Sequence, residues 1–207
     1  AEAAKQYDVI VTYDYGQKIT EEAKADFIAR LKDGKGLVVL HHAIAGWPAW
    51  EGYAHIIGGR FHYQPAALAG VHYPDSGYRH DVTHTIEVLD TSHPICEGIA
   101  PTFTITDEVY LFPVLEHEVQ PLMRSRHEFV DSGFYSADLA IRGSRNDRTG
   151  WHHPRGSDLV AWTRTAGASP IAYLQFGDGP TTYADPNYRR ILANAIGWAA
   201  GAGAAAR

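Results

Sequence analysis

The stretch GKGLVVLHHAIAGW, residues 34–47, decides the fold. Its apolar residues 37–40 form an unbroken run whose length and composition are typical of a buried strand. His41 and His42 follow this strand directly. A histidine pair at such a strand end occupies the place where α/β enzymes mount a nucleophile or a base. We therefore interpret both as candidate catalytic residues, with a purely structural pair as the alternative.

The sequence before this strand predicts a further strand and a helix. Residues 7–13, YDVIVTY, are rich in β-branched and aromatic side chains, which favours a buried strand. Thr20 is a suitable helix N-cap and Gly34 a suitable stop, while Phe27 and Leu31 share one helical face. The order strand, helix, strand predicts parallel pairing with a right-handed crossover, and such sheets bind ligands beyond the carboxyl ends of their strands.

The signals further along the chain differ in strength. Residues 61–151 contain six prolines among short strand candidates such as 85–89, which favours a loop-rich segment. Residues 159–163 and 171–174 predict two more strands, and Gly167 between them suits a hairpin.

The C-terminus carries clear helix signals. Asp185 and Pro186 suit the N-cap and first turn of a final helix that Gly201 ends, and the tail beyond it is expected to fray. The chain has 207 residues with no internal repeat and no linker, so we predict one domain over 1–207. The predicted fold class is α/β, with a mostly parallel, flavodoxin-like sheet flanked by helices.

Composition argues against several classes of function. A content of 45% hydrophobic and 12% aromatic residues is that of a globular protein. The net charge of -6 leaves no basic surface for a phosphate backbone, so no nucleic-acid partner is expected. No apolar stretch approaches the ~20 residues that span a bilayer, so no membrane partner is expected. No G-x-G-x-x-G or P-loop motif occurs, which argues against a nucleotide cofactor.

The 12 histidines are bunched along the chain. Imidazole is the commonest metal ligand and titrates near neutral pH, so these bunches suit metal binding or proton transfer. Their spacings match no metal-binding signature, and the alternative is that they line a polar pocket or bond within loops. The candidate ligands of a divalent metal, zinc being favoured, are His42, His80, His84 and His152.

Three carboxylates complete the candidate catalytic set. Asp107 and Glu108, in FTITDEVY, suit general acid or base catalysis where burial raises a carboxyl pKa. Asp178 follows the last predicted strand, in GDGP, and is expected to face the same cleft as His42. Each of the three also fits an ordinary turn.

Aromatic and polar side chains suggest how a substrate is held. The two tryptophans of GWPAW suit stacking on a sugar ring, with packing at a helix start as the alternative. The segment SGYRHD suits the recognition of hydroxyl or carboxylate groups. We therefore assign substrate binding to Trp47, Trp50, Tyr78, Arg79, His80 and Tyr110. The single cysteine, Cys96, is interpreted as a small buried hydrophobe.

Five stretches of the chain together resemble the ThuA-like (trehalose utilisation) family. They are GKGLVVLHHAIAGWPAWEGYAHIIGGRF, SGYRHDVTHTIEVLDTSHPICEGI, TDEVYLFP, GWHHPRGSDLVAWT and YLQFGDGPTTYADPNYRRILANAIGWAAG. The resemblance implies a class I glutamine amidotransferase-like fold in which the loop after residues 37–40 corresponds to the nucleophile elbow. Because His41 and His42 stand there in place of cysteine, amidotransferase activity is not expected.

The chain departs from the resemblance at two places. Many relatives carry Gly-His where this chain reads Gly177-Asp178, so no histidine role is carried over to that position. Relatives also begin with an additional strand and helix before the position of Tyr7. The family's first strand and helix are therefore expected to be absent here, which would expose a sheet edge and leaves a homo-oligomer open.

The resemblance implies use of trehalose and other disaccharides, often beside oxidoreductases that make 3-keto sugars. We hypothesise an enzyme that acts on a keto-sugar or glycoside, with His42 as base or metal ligand and Glu108 or Asp107 as acidic partner. A non-catalytic sugar-binding or regulatory module and a metal-dependent hydrolase of a small ester or lactone remain alternatives. The expected partner is a small sugar derivative. The cytoplasm is the favoured compartment, and a periplasmic or secreted protein stays open if a signal peptide was removed.

Overall fold

The computed structural model describes residues 6–201 and begins with the predicted strand, helix and strand. Strand β1 (Val9–Thr12), helix α1 (Glu21–Lys32) and strand β2 (Gly36–Leu40) follow one another, and the two strands pair in parallel. The Thr20 hydroxyl caps α1 by accepting from the amide of Ala23 at 3.1 Å.

Eight further strands and four further helices follow. The strands are β3 (Ala66–Leu68), β4 (Val71–Tyr73), β5 (Gly77–Val88), β6 (Thr102–Leu111), β7 (Gln120–Ser125), β8 (Tyr135–Ser136), β9 (Leu159–Ala166) and β10 (Ser169–Leu174). The helices are α2 (Glu51–Ile57), α3 (Ala137–Ile141), α4 (Pro180–Ala184) and α5 (Pro186–Ala199).

The sheet is mixed, so the prediction of a mostly parallel, flavodoxin-like sheet is wrong. Eight of the described strands form one curled sheet in the order β1-β2-β10-β9-β7-β5-β6, with β8 pairing to β5. In this sheet only β1 with β2 and β2 with β10 are parallel among the described pairs. Parallel pairing needs a crossover of about a dozen residues or more, so the short connection between β9 and β10 permits only antiparallel pairing.

The middle of the chain contains the longest strands, which corrects the prediction of a loop-rich segment. Strands β5 and β6 pair over most of their 12 and 10 residues. The prolines that suggested loops lie outside these two strands, and the polar residues of β5 face solvent on one side. An antiparallel strand exposed on one face alternates polar and apolar side chains, so it lacks the continuous apolar run of a buried strand.

Strand β1 forms an edge of the sheet, which corrects the prediction that residues 7–13 are buried. Its only described strand partner is β2, and the side chain of Val11 is 44% exposed. The all-buried pattern belongs to β2 instead, because β2 lies between β1 and β10.

Helices cover both faces of the sheet. On one face, Val38 and Leu40 of β2 belong to the cluster that contains Tyr188 and Ile191 of α5. On the other face, Leu37 and Val39 belong to the cluster that holds α1 and α2. Alternation of side chains along β2 thus gives the strand two apolar faces.

The C-terminal elements form as the sequence predicts. Strands β9 and β10 pair as a hairpin around Gly167, whose φ is +63°. Asp185 caps α5 by accepting from the amides of Asn187 and Tyr188. The tail that was expected to fray, 202–207, lies outside the described residues.

Candidate functional site

The carboxyl ends of the three parallel strands meet at one edge of the sheet. Tyr13 and Tyr15 follow β1, His41 and His42 follow β2, and Asp178 follows β10. The ends of parallel strands form the crevice in which open α/β sheets bind ligands. The candidate site lies in this crevice.

His41 is fully buried and its ring is fixed at both nitrogens. Nδ1 lies 2.6 Å from the carbonyl oxygen of Gln175, and because a carbonyl only accepts, Nδ1 carries a proton. Nε2 lies 3.1 Å from Oε2 of Glu108 and 2.8 Å from the hydroxyl of Tyr110. The backbone of His41 has a φ of +49°, which is uncommon for a residue with a Cβ and is typical of functional sites.

The surroundings of His41 favour its charged form. Burial alone would lower the pKa of the imidazole, but the carboxylates of Asp178 and Glu108 and the Gln175 carbonyl raise it to about 9. The nearest Asp178 oxygen lies 3.7 Å from Nε2. His41 is therefore an imidazolium at neutral pH.

His42 lies in a different environment from its neighbour. Burial and the positive charge of His41 lower the pKa of its half-buried imidazole below 6.5. The ring packs against Tyr13 and Tyr15, with centroids 4.4 Å and 5.2 Å away. His42 is therefore neutral at pH 7 and available as a base.

Asp107 and Glu108 occupy successive positions of β6 and make different contacts. The carboxylate of Asp107 accepts from the amides of Gly177 and Asp178 at 2.8 Å and 3.0 Å. Glu108 instead contacts His41 and, through Oε1, Nδ1 of His80 at 3.1 Å. Asp107 thus holds the loop after β10, while Glu108 faces the histidines.

The loop after β10 depends on Gly177. Its φ is +132°, and a Cβ there would lie 3.0 Å from the Tyr188 hydroxyl and 3.5 Å from Cβ of His41. The Tyr13 hydroxyl donates to the Gly177 carbonyl at 2.7 Å. A side chain at this position would displace Asp178 from the site.

A cavity of about 540 Å³ lies beside these residues, and His41 is buried behind its wall. This volume is within the usual range of small-molecule sites. Its polar lining includes His42, His80, Glu108 and Asp178. Its aromatic walls are Tyr15, Phe61, Tyr63, Tyr78 and Tyr110.

Three groups at the cavity have the composition of a metal site. The ligand atoms of His41, Glu108 and Asp178 all lie within 4.8 Å of one another. The bond from Nδ1 of His41 to a backbone carbonyl is also the usual outer contact of a metal-bound histidine. This set fits a divalent ion.

The sequence as a whole matches one protein-family model, that of ThuA, described as trehalose utilisation, over residues 1–199. The chain belongs to the ThuA family. No curated protein matches it.

Solved structures share the ThuA fold with this chain at low sequence identity. A ThuA-like protein from Parabacteroides merdae is 15% identical to this chain, with a TM-score of 0.71. The match covers 96% of this chain and 72% of the Parabacteroides chain. A ThuA-like protein from Bacteroides uniformis is 17% identical, with a TM-score of 0.66, and the match covers 96% of this chain and 71% of the Bacteroides chain. A cytoplasmic protein from Salmonella typhimurium is 12% identical, with a TM-score of 0.61, and the match covers 96% of this chain and 74% of the Salmonella chain.

The structure does not bring Trp47 and Trp50 of this ThuA chain to the aromatic cavity. Both pack against Phe27 and Tyr53, and the Arg60 guanidinium donates to the Trp50 carbonyl. They line a separate cavity of about 220 Å³. Their position corresponds to the alternative of packing beside a helix start.

Two of the four predicted metal ligands lie away from the cavity. His84 is buried on β5, where Nδ1 bonds the Ser125 hydroxyl at 2.6 Å. His152 is 90% exposed and faces Asp131. His42 and His80 do line the cavity, but His41, Glu108 and Asp178 form the compact group. A metal at this cavity, and its ligands, stay a prediction.

Arg79 of the ThuA chain turns toward a second, neighbouring cavity. A register shift in the pairing of β5 with β6 between Arg79 and Val82, with Asp81 at a φ of +56°, interrupts the alternation of the strand. Bulges of this kind re-aim side chains beside active sites. His80 therefore reaches both cavities while Arg79 reaches the second.

Several walls of the ThuA cavity were not predicted from the sequence. Tyr15 and Gln17 follow β1, so the strand-end rule that singled out His41 would have found them. Phe61, Tyr63 and Arg145 lie on loops whose folding depends on distant residues, and no local signal marks them.

In the described part of the chain, no helix is both long and apolar enough to cross a membrane.

Proposed function

We propose that this protein is a proton-transfer enzyme of carbohydrate metabolism that acts on a keto-sugar or glycoside. The observation that carries the proposal is the opposite displacement of two adjacent histidine pKa values. The pKa is lowered for His42, which lines the cavity, and raised to about 9 for His41, which is buried behind Glu108 and Tyr110 of the cavity wall. When the environment raises the pKa of one titratable group and lowers that of its neighbour, the first can act as an acid and the second as a base.

His42 serves as the base. It takes a proton from the substrate carbon next to a carbonyl group, and the C–H electron pair moves to form an enolate whose charge lies on the carbonyl oxygen. The Tyr110 hydroxyl, which lines the cavity and accepts from the buried His41 imidazolium, is the group that stabilises this charge. Burial and the charge of Glu108 raise the pKa of Tyr110 well above 10, so its hydroxyl stays protonated.

The enolate can react further in two ways, isomerisation or elimination. Where the deprotonated carbon carries a hydroxyl, the hydroxyl proton moves to the former carbonyl oxygen. Return of the carbon-bound proton to the former carbonyl carbon then isomerises the sugar. Departure of an oxygen substituent from the next carbon, with a proton supplied to it by His80 or water, completes an elimination.

The family and the cavity support a sugar as substrate. The model that matches the chain is described as trehalose utilisation. The aromatic walls suit the C–H faces of a pyranose ring, and the polar lining suits its hydroxyls.

The resemblance to class I glutamine amidotransferases that the sequence implies is supported by the backbone at the end of β2, and the proposal takes no chemistry from it. His41 has a positive φ at this strand end, as a residue on a sharp strand-to-helix turn has. Cys96, the single cysteine, is buried on the 3₁₀ turn Pro94–Cys96, and burial raises the pKa of its thiol to about 11. Thiolate attack on glutamine is therefore no part of the proposal.

The test is hydrogen exchange at substrate carbon. Keto-sugars, including glycosides that carry a keto group, are incubated with the enzyme in D₂O, and proton NMR follows deuterium incorporation next to the carbonyl. Exchange is expected with wild type and is expected to fall at least 100-fold in His42→Gln. His72→Gln, at an exposed position of β4, is the matched control and should exchange like wild type.

Two results would contradict this assignment. Exchange that persists in His42→Gln removes His42 as the base. Sugars that bind but are never exchanged or consumed by wild type indicate the non-catalytic sugar-binding module instead.

A metal-dependent hydrolase of a small ester or lactone is the second candidate, because His41, Glu108 and Asp178 could hold a divalent ion. When bound, such an ion would supply an activated water and polarise a carbonyl group. Elemental analysis of the purified protein, with activity measured before and after chelation, distinguishes the two candidates. Stoichiometric metal with activity lost on chelation and restored by one ion favours the hydrolase, whereas activity that survives chelation favours proton transfer by the bare histidines.

A further inference from the structure

The aromatic cavity continues into a second cavity of about 1100 Å³. Three residues, His80, Arg145 and Asp178, line both. A ligand seated against His42 therefore has a polar space beside it, and the residues of that space decide which substituent it accepts.

Three guanidinium groups converge on the second cavity, those of Arg79, Arg145 and Arg148. Within the described residues, none of the three has a carboxylate within 4.0 Å, whereas Arg126 and Arg164 lie in ion pairs. The whole protein carries a net charge of -6, so this convergence of unneutralised cations runs against its overall charge.

Three aspartates line the same cavity, and two of them are engaged elsewhere. Asp147 accepts from the amide and the hydroxyl of Thr149, at 2.9 Å and 2.7 Å. Asp178 faces His41 and His80. All three carboxylates keep their negative charge, but among the described residues none of them lies within 4.0 Å of Arg79, Arg145 or Arg148. The three guanidinium groups are therefore available to an anionic group of a ligand.

The loop that carries Arg145 and Arg148 is held in place. Between them, the amide of Asn146 donates to the Tyr78 hydroxyl at 2.8 Å, and the Asn146 backbone has a φ of +58°. Tyr78 also lines the aromatic cavity, so one side chain fixes both the wall of that cavity and the arginine loop.

Arg79 is positioned as well. Its guanidinium lies over the ring of Tyr135, 4.8 Å from the centroid, and donates to that residue's hydroxyl. This contact holds the side chain without neutralising its charge. An oriented guanidinium of this kind is suited to paired hydrogen bonds with a carboxylate or phosphate.

We infer that the second cavity binds an anionic group of the substrate, and that the enzyme therefore acts on an acidic sugar, with a carboxylate or a phosphate ester as the anion. This inference rests on the proposed function, because it takes the aromatic cavity as the seat of the sugar ring.

Matched pairs of ligands that differ only in charge provide the test. Methyl β-D-glucuronide is compared with methyl β-D-glucoside, and glucose 6-phosphate with glucose, by calorimetric titration at low and at near-physiological salt. The charged member of at least one pair is expected to bind at least tenfold more tightly at low salt, with the advantage reduced by salt. The pair that shows the effect identifies carboxylate or phosphate as the anion.

Substitutions of the exposed arginines locate the binding. Arg148→Gln is expected to weaken the charged ligand about fivefold and to leave the neutral ligand unchanged. Arg145→Gln, at a residue that lines both cavities, is expected to weaken the charged ligand more than the neutral one. Arg124→Gln, at an exposed position, is the control for loss of one positive charge. Arg124 is paired across the sheet with Glu87 of β5. Glu87 lies seven residues from His80 along β5, which corresponds to roughly 23 Å at the usual rise of a strand, so the control lies far from the second cavity.

The inference is overturned if both charged ligands bind no better than their neutral partners, or if Arg124→Gln weakens them as much as the cavity variants. Carbon-bound hydrogen exchange with a neutral keto-sugar would then still support the proposed function. Failure of every sugar, charged or neutral, to bind or exchange would instead overturn the proposed function itself.

Discussion

The rings of His41 and His42 lie 5.3 Å apart, and their surroundings displace their pKa values in opposite directions. The side chain of His41 is enclosed between the Gln175 carbonyl and two carboxylates, while His42 packs against tyrosines. Because the charge of His41 itself lowers the pKa of His42, the two titrations are coupled, and each depends on the other's partners.

The pH dependence of turnover should follow from this pair. His41 must be protonated and His42 neutral, so kcat/KM should be constant through neutral pH and fall as the pH rises through about 9, where His41 loses its proton. On the acid side it should fall only below pH 6.5, since the pKa of His42 is lowered. A rate that keeps increasing beyond pH 10 would contradict the role of the imidazolium.

Replacing Glu108 should change both the rate and the alkaline limb. Glu108→Gln keeps the shape but removes a charge that stabilises the His41 imidazolium, so the pKa of His41 should fall. We expect kcat/KM to drop on the order of 100-fold and its alkaline limb to move to lower pH. NMR titration of the His41 ring measures the same shift directly, and Glu116→Gln at an exposed position is the control. If the pKa of His41 is unchanged in Glu108→Gln, the charge of Glu108 does not stabilise the His41 imidazolium.

Asp107 and Asp178 should differ in their effect on stability. Asp107 is buried and accepts from two loop amides, so Asp107→Asn should lower the free energy of unfolding by about 2–3 kcal/mol. The side chain of Asp178 is 44% exposed, so Asp178→Asn should cost less than about 1 kcal/mol. Urea unfolding of both variants makes the comparison. Equal losses would mean that Asp107 does not anchor the loop.

Acid should destabilise the protein through two buried histidines. Burial, followed by nearby positive charge, lowers the pKa of His62 and of His84 to about 4 from 6.5. Between these values the unfolded chain binds more protons, so stability is complete above pH 6.5 and is lost as the pH falls toward about 4. Each group contributes on the order of 3 kcal/mol over that range.

Unfolding measured from pH 7 to pH 4 tests this effect, with His84→Gln as the variant. The variant should lose stability less steeply with acid than wild type does. A variant as acid-sensitive as wild type would show that His84 does not carry the proton linkage.

The sequence predicted those parts of the fold whose signals are local. The N-cap of α1 at Thr20, the buried run of β2 and the cap of α5 at Asp185 each depend on a few consecutive residues, and all three are confirmed. The mixed sheet was not predicted, because strand direction depends on which segments meet in space. Strand β5 was hidden by its polar face, since only one side of it is apolar.

The candidate site shows the same division. The strand-end rule located His41, His42 and Asp178, because it uses only the position of a residue after its strand. The partner of Glu108 was predicted to be His42, whereas the structure pairs Glu108 with His41 and His80. Glu108 lies on β6, His80 on β5, and His41 follows β2, so these contacts depend on which segments meet in space, and no local sequence pattern indicates them.

The contact of Asp107 with the loop after β10 has a wider consequence. Strand β6 lies four positions from β10 in the sheet, and their residues touch only because the sheet curls. The distance between the site residues on β6 and those after β2 and β10 therefore depends on how strongly the sheet curves between these strands. A slip or a change of twist in β7 or β9 would separate Glu108 from His41 while most of the core stayed packed. Catalytic rate should thus report on the geometry of the whole sheet more sensitively than melting temperature does.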